Sequence, residues 1–501
     1  MTIGSIGSRS ALSVQSLLDM RRQLDDLQRQ LGTGKKANTY AGLGLDRGLT
    51  VSLRNRLAAL NSYSGAIQTV GVRLTLAQTA LGQIDTVGNQ LRSAAIQSRL
   101  VIDGTGQTVE QRTAYAQLDM VLGLLNTKMG DRYLFSGKSV DQAAVETTDH
   151  ILNGDGARAG LKQLISERLQ ADLGVSGLGR VVIPAAAGSV VSISEDVAGS
   201  PFGLKLAAIS SGLTGATPTA PAGVPPAMSI DLGAANPKAG ESVTFSFTLP
   251  DGTSAGVTLT ATNANPPGAN QFTLGATVAN TAANLQTALT TAVGALAGGA
   301  MTAASAVAAS NSFFNADLSN PPQRVSGPPF NTATALVAGT GVNTVICYTG
   351  EAGGSPARST ASVRVDNSIS VSYGMRANEQ GLRSAVQNIA MFAATTYSGS
   401  DPNAAASYDA LTQRIGQGLD GTAGAQIPDI ETEIAGAQTA LAGAKERHQQ
   451  TRATLSDLLQ SIETVPQEEI GAQILALHTS LEASLQTTAM LFKTSLVNYL
   501  P

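Results

Sequence analysis

Three histidines, His150, His448 and His478, and one cysteine, Cys347, are the chain's whole stock of imidazole and thiol. No two of the histidines stand at the spacing that puts two ring nitrogens of one helix on one metal, and none has the cysteine beside it in sequence. His448 and His478 fall in helical stretches, where a solvated or half-buried imidazole is expected. Carboxylates are better placed for chemistry: Glu431/Glu433 and Glu468/Glu469 are pairs of the kind that general acid–base catalysis uses. Both pairs also sit near helix starts, where an acid meets the positive end of the helix dipole. Glu468 and Glu469, just after Pro466, fit that second role well. Gly42-Leu43-Gly44 and the glycine-rich stretches near 174–179 and 339–341 lack the strand-then-helix setting and trailing acid of a dinucleotide site, and no Gly-Lys-Ser/Thr loop follows them. No Gly-x-Ser-x-Gly elbow with a matching His and Asp is visible. One thiol allows no disulfide within the chain, and Cys347, inside Val345-Ile346-Cys347-Tyr348, reads as a small buried hydrophobe. The residues therefore predict no catalytic, metal or cofactor site.

The elements around these residues must serve another purpose. At 501 residues the chain has room for two to four domains, and 43 % hydrophobic content is enough for a core. The kind of hydrophobe is unusual: there is no Trp, aromatics are 4 %, and 53 residues are Gly. Ligand pockets are mostly lined by large apolar and aromatic groups, whereas small residues suit long helices and sheets that repeat a simple contact. A formal charge of −4 with no Lys/Arg stretch argues against nucleic acid. The segment Met1–Ser8 lacks the charged start and apolar core of a cleavable signal peptide. No uninterrupted run of about eighteen apolar residues suggests a membrane span.

Composition changes twice along the chain. Leu17, Met20, Leu24, Leu27 and Leu31 recur at steps of 3 and 4, a heptad seam that Gly32-Thr33-Gly34 ends like a C-cap. Beyond a polar, Gly-rich turn, Leu53, Leu60, Ile67, Leu74 and Leu81 stand at strict sevens. They predict a helix over about 46–102, on the order of 80 Å long. Asp103-Gly104-Thr105-Gly106 breaks it, and Val109 to Met129 reads as a returning helix. The far end mirrors this: Ile427 to Ile462 is helical until Pro466 stops it. A closing helix then carries Ile470, Ile474, Leu477, Leu481 and Leu485, and continues through Leu496 and Tyr499. Such stripes must bury an apolar face, and the simplest partner for the N-terminal seam is the C-terminal one.

The middle is different in kind. Val243–Leu249 and Val257–Thr262 alternate at period two around Pro250-Asp251-Gly252, a hairpin signal. Val363–Val365 and Ile369–Val371 suggest a second strand pair. Thr281 to Leu296 reads as a short helix with Leu285, Leu289, Val293 and Leu296 in line.

The two helical ends resemble the paired terminal regions of bacterial flagellin and of hook-associated protein 3, the hook–filament junction protein. The resemblance lies in Leu27-Gln28-Arg29-Gln30-Leu31-Gly32-Thr33-Gly34-Lys35-Lys36-Ala37-Asn38, in Ala472–Leu477, in Leu481–Met490 and in Ser495–Leu500. Asp131-Arg132-Tyr133-Leu134-Phe135-Ser136-Gly137 is similar to a run typical of junction proteins, with Tyr133, Leu134, Phe135 and Gly137 as its marks. Tyr40-Ala41-Gly42-Leu43-Gly44 stands where family members tend to carry Ser-Asp-Asp-Pro. The resemblance covers roughly the first 140 and last 130 residues, and the middle matches nothing in the family.

The resemblance implies a non-enzymatic structural subunit of the flagellum, exported unfolded through the flagellar type III apparatus by an uncleaved signal and held beforehand by a cytoplasmic chaperone. Its expected partners are further copies of itself and the neighbouring axial proteins, hook-associated protein 1 and flagellin. No nucleic acid and no membrane insertion is implied. The expected fold is mainly α with a β-containing insert, the terminal helices pairing into a long coiled-coil rod beneath a mixed or β-rich outer domain. The expected division is a terminal coiled coil from 1–44 and 466–501, a helical rod from 45–174 and 369–465, and an outer domain at 175–368. Leu17, Met20, Leu24, Leu27, Leu31, Ile470, Ile474, Leu477, Leu481 and Leu485 are the expected subunit-interface seams, and Leu60, Ile67, Leu74 and Leu81 the rod core. Hook–filament junction protein is the preferred reading. Filament flagellin, or a non-flagellar coiled-coil scaffold or adhesin, is the alternative.

Overall fold

A computed structural model describes residues 4–317, 319–420, 424 and 426–493. The closing positions Leu496 and Tyr499, and the Ser495–Leu500 run, lie outside the described residues. The chain is mainly α with a β-containing middle. In order come α1 (Gly4–Thr33), a 3-10 turn (Tyr40–Asp46), α2 (Arg47–Gln97) and α3 (Val109–Leu125), then a tight hairpin of β1 (Lys128–Met129) and β2 (Arg132–Tyr133). Helices α4 (Thr148–Asn153) and α5 (Leu161–Leu173) lead into strands β3 (Val181–Val182), β4 (Val190–Glu195), β5 (Lys205–Ser211), β6 (Thr217–Ala222), β7 (Ala227–Asp231), β8 (Ser242–Thr248), β9 (Ser254–Thr262) and β10 (Gln271–Thr273). After α6 (Val278–Leu296) and α7 (Thr302–Phe314) come the short strands β11 (Gln323–Val325), β12 (Leu336–Ala338), β13 (Ser362–Arg364) and β14 (Ser370–Ser372). Helices α8 (Gln380–Ala394), α9 (Ala404–Gly418), α10 (Ile427–Glu463) and α11 (Gln467–Lys493) complete the chain.

The described helices match their sequence signals closely at one end and less so at the other. Helix α3 stops at Leu125, short of Met129, because the Asn126 side chain is taken by the chain beyond it. Its amide donates to the Val145 carbonyl at 2.9 Å and its carbonyl accepts from the Ala144 N–H at 2.8 Å. The start of α3 is a full capping box, Thr108 and Gln111 each capping the other's backbone N–H. The Thr464-Val465-Pro466 break divides α10 from α11, as proline's missing N–H requires.

Residues fall into two compact units. One comprises 1–70, 364–371 and 439–501. There α1 packs against α11, and Lys36 donates its N–H to the Glu463 carbonyl at 2.8 Å while the Val465 N–H reaches the Gly34 carbonyl at 3.2 Å. The turn of the expected strand pair closes in this unit, where the Val365 N–H meets the Ile369 carbonyl at 2.9 Å.

The other unit comprises 71–363 and 372–438. Two four-stranded sheets, ordered β10-β9-β8-β5 and β3-β4-β7-β6, share a core with α6. Strands β8 and β9 pair antiparallel from Ser242 against Thr260 to Thr248 against Ser254, the register that alternation around Asp251-Gly252 implies. Phe245, Phe247 and Leu259 then face the core together with Leu285, Leu289 and Val293 of α6. Strand β10 adds in parallel to β9. From α6 a single π-turn (Ala297–Met301) carries the helix on into α7. The stretch Val278–Phe314 is long and apolar enough to cross a membrane by length and composition. Interspersed Thr, Ser, Gly and Asn conceal it from a search for an unbroken apolar run. Its Leu285, Leu289, Met301 and Phe313 are buried in this same unit, which accounts for its hydropathy.

The β8–β9 turn is tied to α9 by charge. Arg414 Nε donates to Asp251 Oδ2 at 2.6 Å, and Thr253 donates to Oδ1 through its N–H and hydroxyl. Burial alone would push the Asp251 carboxyl up, but the Thr253 hydroxyl, the Arg414 guanidinium and the Thr253 N–H outweigh it and hold the carboxyl below its ordinary value. A depressed acid adds stability above its unfolded pKa of about 3.9, and that stability is lost as pH falls through the lower folded value. Asp251→Asn is expected to destabilise this unit by roughly 2–3 kcal/mol at neutral pH. In urea melts followed by circular dichroism, the gap from wild type should close as the pH drops below about 4. A gap that stays constant to pH 2 would disprove the charged role.

Candidate assembly interface

The N-terminal seam forms on α1 as the 3-4 spacing dictates: Leu17, Met20, Leu24 and Leu27 are half-buried along one stripe. Leu31, in the last turns of the helix, is 38 % exposed. On α11, Ile470 is buried and Ile474, Leu477 and Leu481 are half-buried. The stripe then continues through Ser484 and Thr488, leaving Leu485 50 % exposed. A strict alternation of three and four residues holds a seam in place, whereas two successive steps of four turn a residue off it by about 40° each.

The unit holding these helices is fastened where the chain's two halves meet. Arg54 of α2 grips the carboxylate of Glu463 at the end of α10 with Nε at 2.9 Å and Nη2 at 2.8 Å, a fork-to-fork pair. Its guanidinium lies 5.5 Å from the Tyr40 ring centroid and donates to the Tyr40 hydroxyl at 3.1 Å. The bond to Glu463 raises the Arg54 pKa against the opposing cost of burial. Sequence offered no signal for this pair, whose members stand 409 residues apart. Further along, Tyr63 donates to Asn367 Oδ1 at 3.0 Å, and its ring lies 5.9 Å from that of His448. His448 is buried, unlike the solvated or half-buried imidazole expected of it, because it continues the inward stripe of Leu441 and Ala444 on α10.

Pairing of α1 with α11 leaves other apolar groups in water. Leu12 (69 % exposed), Val14 and Leu18 stand out from α1. Leu475 is 70 % exposed. It lies five residues beyond Ile470 and so turns away from the seam by about 140°. Leucines on both helices of one pair thus face solvent, the kind of surface that marks a protein–protein contact.

Of the rod positions, Leu60 is half-buried in the first unit with Ile67 buried, and Leu74 and Leu81 are fully buried in the second. In that second unit the Tyr133–Gly137 run leaves the hairpin and enters the core. Tyr133 is half-buried, while Leu134 and Phe135 are buried. The Ala377 N–H donates to the Phe135 carbonyl at 2.8 Å, and the Gly137 N–H to that of Met375 at 3.1 Å, so the run is held to the C-terminal half by an isolated bridge of Ser136 with Arg376. Gly137 has φ +65°, and a Cβ there would stand 2.5 Å from Glu351 Oε2 and 2.9 Å from Glu351 Cβ.

The groups singled out for chemistry are occupied otherwise. Glu433 accepts from Arg358 Nε at 2.7 Å, whereas burial, and then repulsion from Asp85, raises the pKa of Glu431. The two acids therefore serve separate surroundings. Glu468 and Glu469 are exposed in the first turn of α11. His150 lies 3.1 Å from Glu146, and His478 is exposed beside Glu482 at 3.5 Å. Cys347 is buried, and that burial pushes its thiol up to about 12, where it is unreactive at neutral pH. Among the described residues no group of three His, Cys, Asp or Glu is placed to hold a metal.

Residues 9–140 match the model of the bacterial flagellin N-terminal helical region. Over those residues the chain is similar to bacterial flagellin. The flagellin family is structural, and its members assemble with copies of themselves into flagellar polymers. The matched N-terminal region supports a structural subunit of the flagellum. The matched span contains most of α1, all of its seam, α2, α3 and the Tyr133–Gly137 run. No curated protein matches the chain.

One pair of variants separates folding from assembly, and a second separates backbone strain from collision. Ile470→Ala removes a buried contact and is expected to cost about 2–4 kcal/mol. Leu475→Ser should change stability by less than about 0.5 kcal/mol yet abolish polymer in sedimentation assays; polymer formed at the wild-type yield would exclude Leu475 from the interface. In the second unit, Gly130→Ala meets only the left-handed strain at φ +62° and open space, costing about 1 kcal/mol. Gly137→Ala adds the collision with Glu351 and should cost at least about 2 kcal/mol in the same melts.

Proposed function

We infer that this subunit is the hook–filament junction protein, linking hook to filament by self-assembly. The carrying observation is the Tyr133–Gly137 run, which is similar to that of junction proteins and whose buried Phe135 and Gly137 make backbone hydrogen bonds with Ala377 and Met375. The reading divides the chain into a terminal coiled coil (1–44 and 466–501), a helical rod (45–174 and 369–465) and an outer domain (175–368). In it, the exposed leucines of α1 and α11 are covered by other copies and by neighbouring axial proteins, hook-associated protein 1 and flagellin. Before export a cytoplasmic chaperone shields them, and the flagellar type III apparatus secretes the chain. The subunit has no catalytic role. Filament flagellin is the second reading, favoured because the matched N-terminal region is described as that of flagellin.

Deletion of the gene decides between them. Electron microscopy is expected to show hooks without filaments, with flagellin monomers lost to the medium. Hooks carrying a complete junction but no filament would make the chain the filament subunit. Complementation with Leu481→Asp, which places a charge in the half-buried seam, should leave the sheet domain folded and filaments absent; normal flagella from that strain would remove Leu481 from the assembly contact.

A further inference from the structure

Within the second unit, α2, the segment from β2 to Val140, and residues 360–375 outside the other unit enclose a cleft with a volume of about 370 Å³. Arg73, Arg132 and Lys138 line it together with Thr360, Ser362 and Tyr373. Three cations on one cleft require counter-charge, and the structure supplies it for only one of them. Lys138 Nζ lies 3.5 Å from Glu351. Among the described residues neither Arg73 nor Arg132 reaches a carboxylate. Arg73 donates from Nη1 to the Tyr373 hydroxyl at 3.4 Å, a long and weak bond, and its Nε is buried with no partner. A guanidinium remains charged at every relevant pH and presents its donors in a fixed fork. A guanidinium with no carboxylate partner, lining a polar cleft, is placed to take an acceptor that enters from outside.

We propose that this cleft binds an oxyanion, a carboxylate, sulfate or phosphate group, through Arg73 and Arg132. The fork of a guanidinium matches two oxygens of such a group, and the cleft holds no acid of its own among its lining residues. Arg73 supplies the inner donors and the exposed Arg132 the outer charge. Lys138, already engaged by Glu351, adds a weaker attraction. The same chemistry admits two sources, a free anion or an acidic side chain of a second copy. The site does not depend on where in the flagellum the subunit stands.

The test titrates the full-length monomer at low ionic strength with inorganic sulfate, by calorimetry and by NMR of the arginine Nε–H groups, with chloride matched for ionic strength as the control. Saturable binding of one sulfate with a Kd on the order of 1 mM is expected, with the Arg73 Nε–H signal moving. Arg73→Gln should weaken it at least about tenfold, and Arg73→Lys, which keeps the charge and loses the fork, by less. Arg132→Gln changes an exposed side chain, so it remains informative even if Arg73→Gln does not fold, and should also weaken binding. Non-saturable sulfate uptake, or sulfate affinity unchanged in both glutamine variants, would overturn the proposal. Repeating the titration on assembled polymer identifies the source: binding retained per subunit means a free oxyanion, and binding lost on assembly and restored on dissociation means a neighbour's carboxylate.

Discussion

The chain's two ends bury each other's apolar stripes, and the remainder of the first unit depends on that one contact. Neither α1 nor α11 has a second apolar face of comparable regularity turned inward, so each needs the other to shield Leu17–Leu27 and Ile470–Leu481 from water. The contact closes a loop of more than four hundred residues, which costs less than intuition suggests because closure entropy grows only with the logarithm of length. Once the ends meet, backbone bonds from Lys36 and Val465 and the Arg54–Glu463 fork fix the register of the turn after α1 against the break before α11. A surface ion pair alone contributes at most about 1 kcal/mol, so the fork orients what hydrophobic burial holds.

A seam composed of leucines on a chain without tryptophan has a further consequence. The helical pair satisfies one stripe and leaves Leu12, Leu18 and Leu475 in water. A subunit destined to be surrounded by other subunits keeps apolar surface on more than one side, and a lone soluble bundle does not require it. The second unit shows the opposite economy, with aromatic residues concentrated inside: Phe245, Phe247 and Phe272 between sheet and helix, Phe135 at the entry of the motif run, and Tyr408 against Tyr397 and Phe392. Few aromatics suffice because small residues let backbones approach closely elsewhere. Gly298 and Gly299 in the π-turn leave room only for Asn403 and Ala406 at the start of α9.

Charge in the second unit is used for placement. Arg414 holds the β8–β9 turn through Asp251, Arg324 pairs with the buried Glu167, and Arg358 lies between Glu379 and Glu433. Each joins segments remote in sequence, and each acid has a guanidinium partner. Arg73 and Arg132 stand outside this pattern, which is what distinguishes their cleft from the ion pairs around it.

Periodicity determined a good deal from the sequence alone. The helices, the β8–β9 hairpin and the break at Pro466 were legible because each is set by interactions within a few residues: a stripe every 3.6, an alternation every two, a missing N–H. The half-buried stripes of α1, through Leu27, and of α11, through Leu481, were legible for the same reason. Partners across long separations were not, since nothing in the residues around Arg54 names Glu463, and nothing near Gly137 names Glu351. Only the tertiary structure decided that His448 is buried, that Glu431 and Glu433 serve different neighbours, that Leu475 faces water and that two arginines share a cleft without an acid. Those outcomes depend on which surfaces meet, and a side chain's burial and charge environment are properties of that meeting rather than of its own position in the chain.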